Sequence, residues 1–504
     1  MKKLAVTTVI LAGLLMVPFA ASAQYKDKKS ADEAPKTKSD ILLEGADEAE
    51  KPVVITLEQA LEIALSENVS VKVADLEIKR TQYAKKGAYA ALYPQIDLSA
   101  SYQRTIKKQV MYMDIDMSKI MGGALGGAGN GSEGGSGEGA DSGSSAGSSS
   151  SSSGGGMEVG RLNTLNGGVS AAMPIINAQL WKGIKISGLD VELAVEKARA
   201  SRLDMVTQVK SAFFGTLFAK EAFNVYKEVY ENAVKNYDET KKKYDAQKVS
   251  EFELIRAKTT VANAIPNVYN AESSVVLALW QLKAVLGVDL DMNIDVAGKL
   301  EDWSQQMFYD IHQHDGATLD NNTTMKQLAI QSEVLAQNIK LQQYANIPSL
   351  AVAFNFSMNT MANDVSFSEF RWTPYSYVGL SLNIPIFAGG KRYQAIRQAK
   401  NQYQQVQLQV ENTERQLKIA IRQSLNTMET NMKSFYAAQD AVAAAQKAYD
   451  IAEAAYKVGR STLIELNDAQ LALTQSQLAQ SQAVYNFIIA KAQLEQTLGQ
   501  DFVE

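Results

Sequence analysis

Few residues in this chain can do chemistry. The only histidines are His312 and His314, and a His-x-His pair with no further ligand in reach is more commonly a surface feature than a metal site. Met111, Met113, Met117 and Met121 offer soft thioethers that suit copper(I) or silver, although such residues more commonly serve as apolar filler. There is no cysteine. That excludes structural disulfides, thiolate metal sites and lipid attachment to an N-terminal cysteine. No nucleophile–base set, phosphate loop or metal cluster stands out, so the reading is a non-enzyme without cofactor or metal. The remaining candidates are acidic, aromatic and turn residues gathered at two places.

The first place is Tyr456 to Ala469, which includes Gly459, Arg460, Ser461, Thr462, Glu465 and Asp468. Gly459 can take the left-handed conformation that ends a helix. Ser461 or Thr462 can cap the next helix, and Glu465 stands three residues after Thr462, as in a capping box. The second place is Tyr244 to Ala257, with Gln247, Ser250 and Glu253. Tyr244 and Tyr456, Glu253 and Glu465, and Ala257 and Ala469 are each 212 positions apart. One gapless offset across a turn signals an internal duplication.

Long helical patterns must position these turns. One runs from about Asn177 to Lys248 and its counterpart from about Gly390 to Val458. At ~1.5 Å per residue each is about 105 Å long, beyond a typical globular helix and suited to a helical tube or coiled coil. Each turn is followed by a return helix of about half that length, Glu251 to Leu286 and Thr462 to Leu498. The helix that opens each half is therefore expected to meet the end of a return helix. In the first half that opening pattern starts at Thr56, with Gln59 as its capping-box partner, and runs past Asn68 to Leu92. Asn322 matches Asn68, and Pro348 matches Pro94, both at an offset of 254.

After Pro94 the period switches to two. Ile96, Leu98, Ala100 and Tyr102 alternate with Asp97, Ser99 and Ser101, and the same alternation recurs before Pro174, after Pro348 and before Pro385. Strands with one apolar and one polar face, bounded by prolines and long helices, suit a membrane β-barrel. Met1 to about Ala23 reads as a secretory signal with an Ala21-Ser22-Ala23 cleavage site. The chain carries 50 Lys+Arg against 55 Asp+Glu, net −5, which gives no nucleic-acid footprint.

The layout is thus a signal peptide at 1–23, a flexible leader at 24–51 and a first repeat at 52–287. That repeat holds strands at about 95–103 and 166–174, a disordered loop at 104–165 and a tip turn at 244–257. A connector at 288–320 leads to a second repeat at 321–504, with strands at about 350–359 and 375–384 and a tip turn at 456–469.

From about Val53 onward this order resembles the TolC family of bacterial outer-membrane efflux proteins. The resemblance rests on helix–Pro–strand–loop–strand–Pro–long helix–tip turn–return helix, occurring twice. It implies a mixed α and β membrane fold: a homotrimer with a 12-stranded β-barrel in the outer membrane and a long α-helical barrel crossing the periplasm. Four strands fall short of the smallest membrane barrel of about eight, whereas three chains supply twelve. The implied partners are a periplasmic membrane-fusion adaptor, an inner-membrane efflux pump or ABC transporter, and outer-membrane lipid. By position Tyr456 resembles the family's gate tyrosine, Glu465 and Asp468 its ring carboxylates, and Glu253 the carboxylate of the first tip. The family's gate arginine falls at Ser461 here, one residue after Arg460, and Gln247 replaces the usual turn glycine. Gly459, Ser250 and Tyr244 complete the candidate gate or adaptor contacts. The alternative is a secreted coiled-coil structural or adhesive protein without a pore, which has no need of Pro-bounded hairpins.

Between the first two strands, Met121 to Gly156 holds 26 Gly or Ser among 36 residues. Such a segment buries too little apolar surface to fold and reads as a long extracellular loop. Deleting Gly122–Gly156 is therefore expected to leave assembly and transport intact. Electrophoresis of outer-membrane extracts checks this, and loss of the folded assembly would make the segment structural.

Overall fold

The computed structural model describes residues 52–111, 157–307, 318–363 and 371–500. The signal and leader, the Gly/Ser segment, Met113, Met117, Met121, Phe308, His312 and His314 lie outside the described residues. The chain folds as two compact units interleaved along the sequence. Of the described residues, one comprises 52–73, 199–307, 318–322 and 417–500, the other 74–111, 157–198, 323–363 and 371–416.

The second unit contains the sheet. Strands β2 (Gln95–Arg104), β5 (Asn163–Ile176), β7 (Ser349–Ala362) and β8 (Thr373–Asn383) pair antiparallel in the order β2-β5-β7-β8. Their register places Ile96, Ala171, Phe354 and Val378 in one row and Asp97, Ser170, Asn355 and Tyr377 in the next. Because side chains alternate across a strand, the apolar positions of all four strands share one face. Val378, Leu380 and Leu382 on that face are exposed. Among the described residues, β2 and β8 each leave one edge unpaired.

Two details differ from the sequence reading. The strand expected to stop at Pro174 continues to Ile176, because the missing proline N–H falls at a register shift between Pro174 and Ile176. The loop expected from 104 to 165 begins as further pairing: Thr105 N donates to Leu162 O (2.7 Å), and a short ladder joins β3 (Gln109–Met111) to β4 (Met157–Val159).

The first unit holds the main core. Helix α1 (Leu57–Glu67) follows β1 (Val53–Ile55), which pairs in parallel with β6 (Ile294–Val296). The sequence reading missed this small sheet because three-residue strands show no period. Thr56 and Gln59 form the expected capping box. Leu61, Ile63, Phe213, Phe214, Leu282, Phe487 and Leu494 fill the core, together with Leu300 and Met307 of the connector. Phe214 packs edge-on against Trp303 (5.1 Å between centroids). The connector thus contributes core rather than merely joining the halves.

The long helices are α3 (Ala178–Asp245, 68 residues) and α6 (Lys391–Lys457, 67 residues). The return helices are α4 (Glu251–Leu286) and α7 (Leu463–Leu498), each 36 residues. Helices α2 (Val69–Ala90) and α5 (Thr323–Tyr344) lead into β2 and β7. No described helix is long and apolar enough to cross a membrane.

The same joint ends both return helices. Asn68 Nδ2 donates to Val285 O (2.7 Å) while its Oδ1 accepts from Ser70 N (2.7 Å). Asn322 Nδ2 donates to Thr497 O. Gly287 (φ 77°) and Gly499 (φ 68°) cap these helix ends in the left-handed conformation. A Cβ on Gly499 would lie 2.1 Å from Asn321 O, so only glycine fits.

The common apolar face generates a test. Phe354→Arg or Leu380→Arg puts a charge on that face, costing roughly 2–4 kcal/mol near a bilayer midplane. Folded outer-membrane assembly is expected to fall for each, and normal yield with Arg at both positions would contradict the face assignment.

Candidate functional site

The candidate site is the tip region of the first unit, where both turns are built from local backbone rules. After α6, Gly459 turns left-handed (φ 77°), Arg460 N donates to Ala455 O (2.8 Å) and Gly459 N to Tyr456 O (3.1 Å). These bonds satisfy the last carbonyls of the helix. Thr462 caps α7: Glu465 N donates to Thr462 Oγ1 (3.3 Å), and Thr462 N donates to Glu465 Oε2 (3.1 Å). Ser461 Oγ donates to the same carboxylate oxygen (2.5 Å). The Ser461 hydroxyl, then the Thr462 amide, hold the Glu465 carboxyl below its ordinary pKa. Glu465 is thus a cap in the single chain. Its contribution is present above the ordinary carboxylate pKa and is lost as pH falls through the lowered value.

The first tip copies this geometry with less support. Lys248 N donates to Lys243 O (2.8 Å) and Gln247 N to Tyr244 O (2.8 Å). Ser250 Oγ accepts from Glu253 N (3.3 Å) and caps α4. Gln247 occupies the place of Gly459 and adopts φ 55°, the only positive φ of a non-glycine residue among those described.

The aromatic positions differ most. Tyr456 is buried, 4% exposed, in a small core with Tyr449, Leu463, Leu466, Leu473 and Ala257. Its equivalent Tyr244 is exposed. Tyr456 Oη lies 2.5 Å from Thr240 Oγ1. Thr240 has one hydroxyl proton, which it donates to Asn236 O (2.6 Å), so Tyr456 is the donor in the pair. Lys243 Nζ donates to Tyr456 O (2.6 Å) and sits 4.2 Å from the ring centroid. One cation therefore binds both the C-terminal carbonyl of α6 and a π face. Burial, reinforced by Glu253 and Glu239, raises the Tyr456 pKa. The phenol therefore stays a neutral donor beyond the ordinary tyrosine range, and its contribution is lost only as pH rises through that raised value.

Thr240 and Lys243 are functional candidates that the sequence reading missed. They lie one helical turn apart, the spacing of neighbours on a helix face, but only the pairing of α3 with α6 brings them to Tyr456. Arg460 and Asp468 are exposed, and among the described residues no salt bridge joins Arg460 to Glu465 or Asp468. Across the helices, Asn467 Nδ2 donates to Thr260 Oγ1 (3.3 Å).

The family model for outer membrane efflux proteins matches residues 140–288 and 316–500. The chain belongs to the outer membrane efflux protein family. It is 20% identical to the outer membrane protein TolC of Vibrio cholerae over 66% of this chain and 76% of that protein. It is likewise 20% identical to TolC of Escherichia coli K12, over 67% of this chain and 70% of that protein. Among solved structures it resembles the CmeC outer membrane channel of Campylobacter jejuni (TM-score 0.63, 17% identity, covering 88% of this chain and 85% of that one). It also resembles the open state of the Neisseria gonorrhoeae MtrE outer membrane channel (TM-score 0.64, 16% identity, 88% of each chain). As a member of the TolC family, the chain is an efflux transport channel of the Gram-negative outer membrane that extends into the periplasm. Its relatives are channels rather than enzymes.

The turn chemistry sets a stability test. Replacing Gln247 by Gly relieves a left-handed non-glycine residue and is expected to stabilise the protein by about 1 kcal/mol, whereas Gly459→Ala is expected to destabilise it comparably. Thermal unfolding of the purified protein checks both, and an unchanged Gln247→Gly midpoint would mean that the first tip carries no strain.

Proposed function

We propose that this efflux channel works as a homotrimeric exit duct whose periplasmic tips form the gate, opened by a periplasmic adaptor and an inner-membrane transporter. The observation that supports the trimer is the four-stranded sheet, whose two edges are unpaired among the described residues. Unpaired backbone groups are not tolerated in lipid, and three copies provide a closed set of twelve strands. The observation that carries the gate is the grip of Thr240 and Lys243 on Tyr456. It fastens the last turn of α6 to α3 without any residue of the outer turns.

In this reading the resting state is held inside each protomer, and the adaptor acts by separating α3 from α6 at the tip. Glu465 and Asp468, exposed one turn apart on α7, form two acidic rings in the trimer. A narrow ring with low-dielectric walls focuses negative potential and favours cations. Glu253, Ser250, Tyr244, Gly459 and Arg460 supply the outer surface of the tips for the adaptor.

Two separable phenotypes follow in planar-bilayer recordings of the purified protein. Tyr456→Phe combined with Lys243→Met removes one neutral and one charged hydrogen bond, about 2–4 kcal/mol, and is expected to raise resting conductance. Glu465→Ala with Asp468→Ala is expected to weaken cation selectivity and block by a trivalent cation. Unchanged conductance in the first variant would remove the latch, and unchanged selectivity in the second would leave the carboxylates as caps only.

A further inference from the structure

We propose that the strand-proximal ends of the helices flanking the sheet form a docking collar for anionic phospholipid headgroups. The registers Gln95↔Ala172, Ile176↔Leu350 and Ser349↔Asn383 bring the end of α2, the start of α3, the end of α5 and the start of α6 to the same end of the sheet. Segments 81–94, 177–189, 334–348 and 384–410 together carry nine Lys or Arg and no Asp or Glu. The chain as a whole has more acids than bases, so this exclusion is local. Acids return only farther along each helix, at Glu77, Asp190, Glu333 and Glu411.

The cations are interleaved with aromatic rings. Lys86 Nζ lies 5.5 Å from the Tyr83 centroid, Lys182 Nζ 5.5 Å from Tyr344, and the Arg397 guanidinium 5.4 Å from Tyr393. Tyr93, Trp181, Ile386 and Phe387 stand exposed in the same belt, Phe387 at 87%. Aromatic rings at headgroup level and basic residues beside an anionic lipid surface are the two signatures of an interfacial site.

Some of the cations have structural work. Lys182 donates to Gln337 Oε1 (3.2 Å), Arg392 to Asn346 Oδ1 (2.9 Å) and Pro385 O (3.0 Å), and Lys185 lies 4.0 Å from Glu333. Lys86, Lys340, Lys391 and Arg397 are exposed and are the headgroup contacts. A soluble anion would require donors converging on one pocket. Here the charge is spread over four segments next to an exposed apolar strand face, which matches a lipid surface.

The collar rests on the reading that the sheet spans the membrane. The test reconstitutes the full-length protein in phosphatidylcholine and measures association of spin-labelled phosphatidylglycerol and phosphatidylcholine. Phosphatidylglycerol is expected to be preferred by about fivefold, the equivalent of one charge beside an anionic surface, and the preference is expected to fall with salt. It should vanish in K86Q/K340Q/K391Q/R397Q and persist in K86R/K340R/K391R/R397K, which retains every charge. Equal association of the two lipids with the wild type, or an unchanged preference in the glutamine variant, overturns the proposal. So does a glutamine variant that keeps its lipid preference but loses anion permeability in planar bilayers, since its charges would then line the conduit. A wild-type protein that enters no bilayer and shows no heat-modifiable migration overturns the membrane reading itself, and the collar with it.

Discussion

A hydrogen-bonding chain placed in hydrocarbon must pair every backbone N–H and C=O. Four strands in one antiparallel sheet do this for their interior, and among the described residues β2 and β8 are left with open edges. That deficit organises the rest of the molecule. In the proposed trimer it is met by the neighbouring copies, and the alternation of Ile96, Ala171, Phe354 and Val378 gives the sheet one apolar face.

The duplication preserves backbone solutions and varies side-chain ones. Both return helices end in a left-handed glycine met by an asparagine amide, and both start at a hydroxyl cap. The tip side chains have diverged instead. Thr240 and Lys243 have Ala452 and Ala455 as their equivalents, at the same offset of 212 that relates the two tyrosines. One tyrosine is buried and held; the other is exposed. The repeated fold has therefore acquired a polar contact in one copy and a slim, alanine-lined surface in the other.

Much of this was legible in the sequence because it depends on local rules. The capping box at Thr462, the glycine turn at Gly459 and the two-residue period after Pro94 each rest on residues close in the chain. Elements that require a distant partner were not legible. The β1–β6 pair joins segments with no period of their own, and the grip on Tyr456 comes from α3. Pro174 misled because its cost depends on register: a proline at a bulge loses no ladder bond. Gln247 was visible as a departure from glycine, but its left-handed backbone follows from the six-to-one bond that closes the turn, which imposes the conformation whatever the residue.

The asparagine–glycine joints have a mechanical consequence. Helices α3 and α6 are continuous beams of 68 and 67 residues, stiffened along their whole length by covalent backbone. Helices α4 and α7 are pinned rods, fixed at one end by a tight turn and at the other by a side-chain clip. The far end of each rod is held by that clip together with the burial of Leu282, Leu286, Leu494 and Leu498 in the main core. The beams need no such joint, so the two asparagine clips mark where a rod can shift without unwinding a helix.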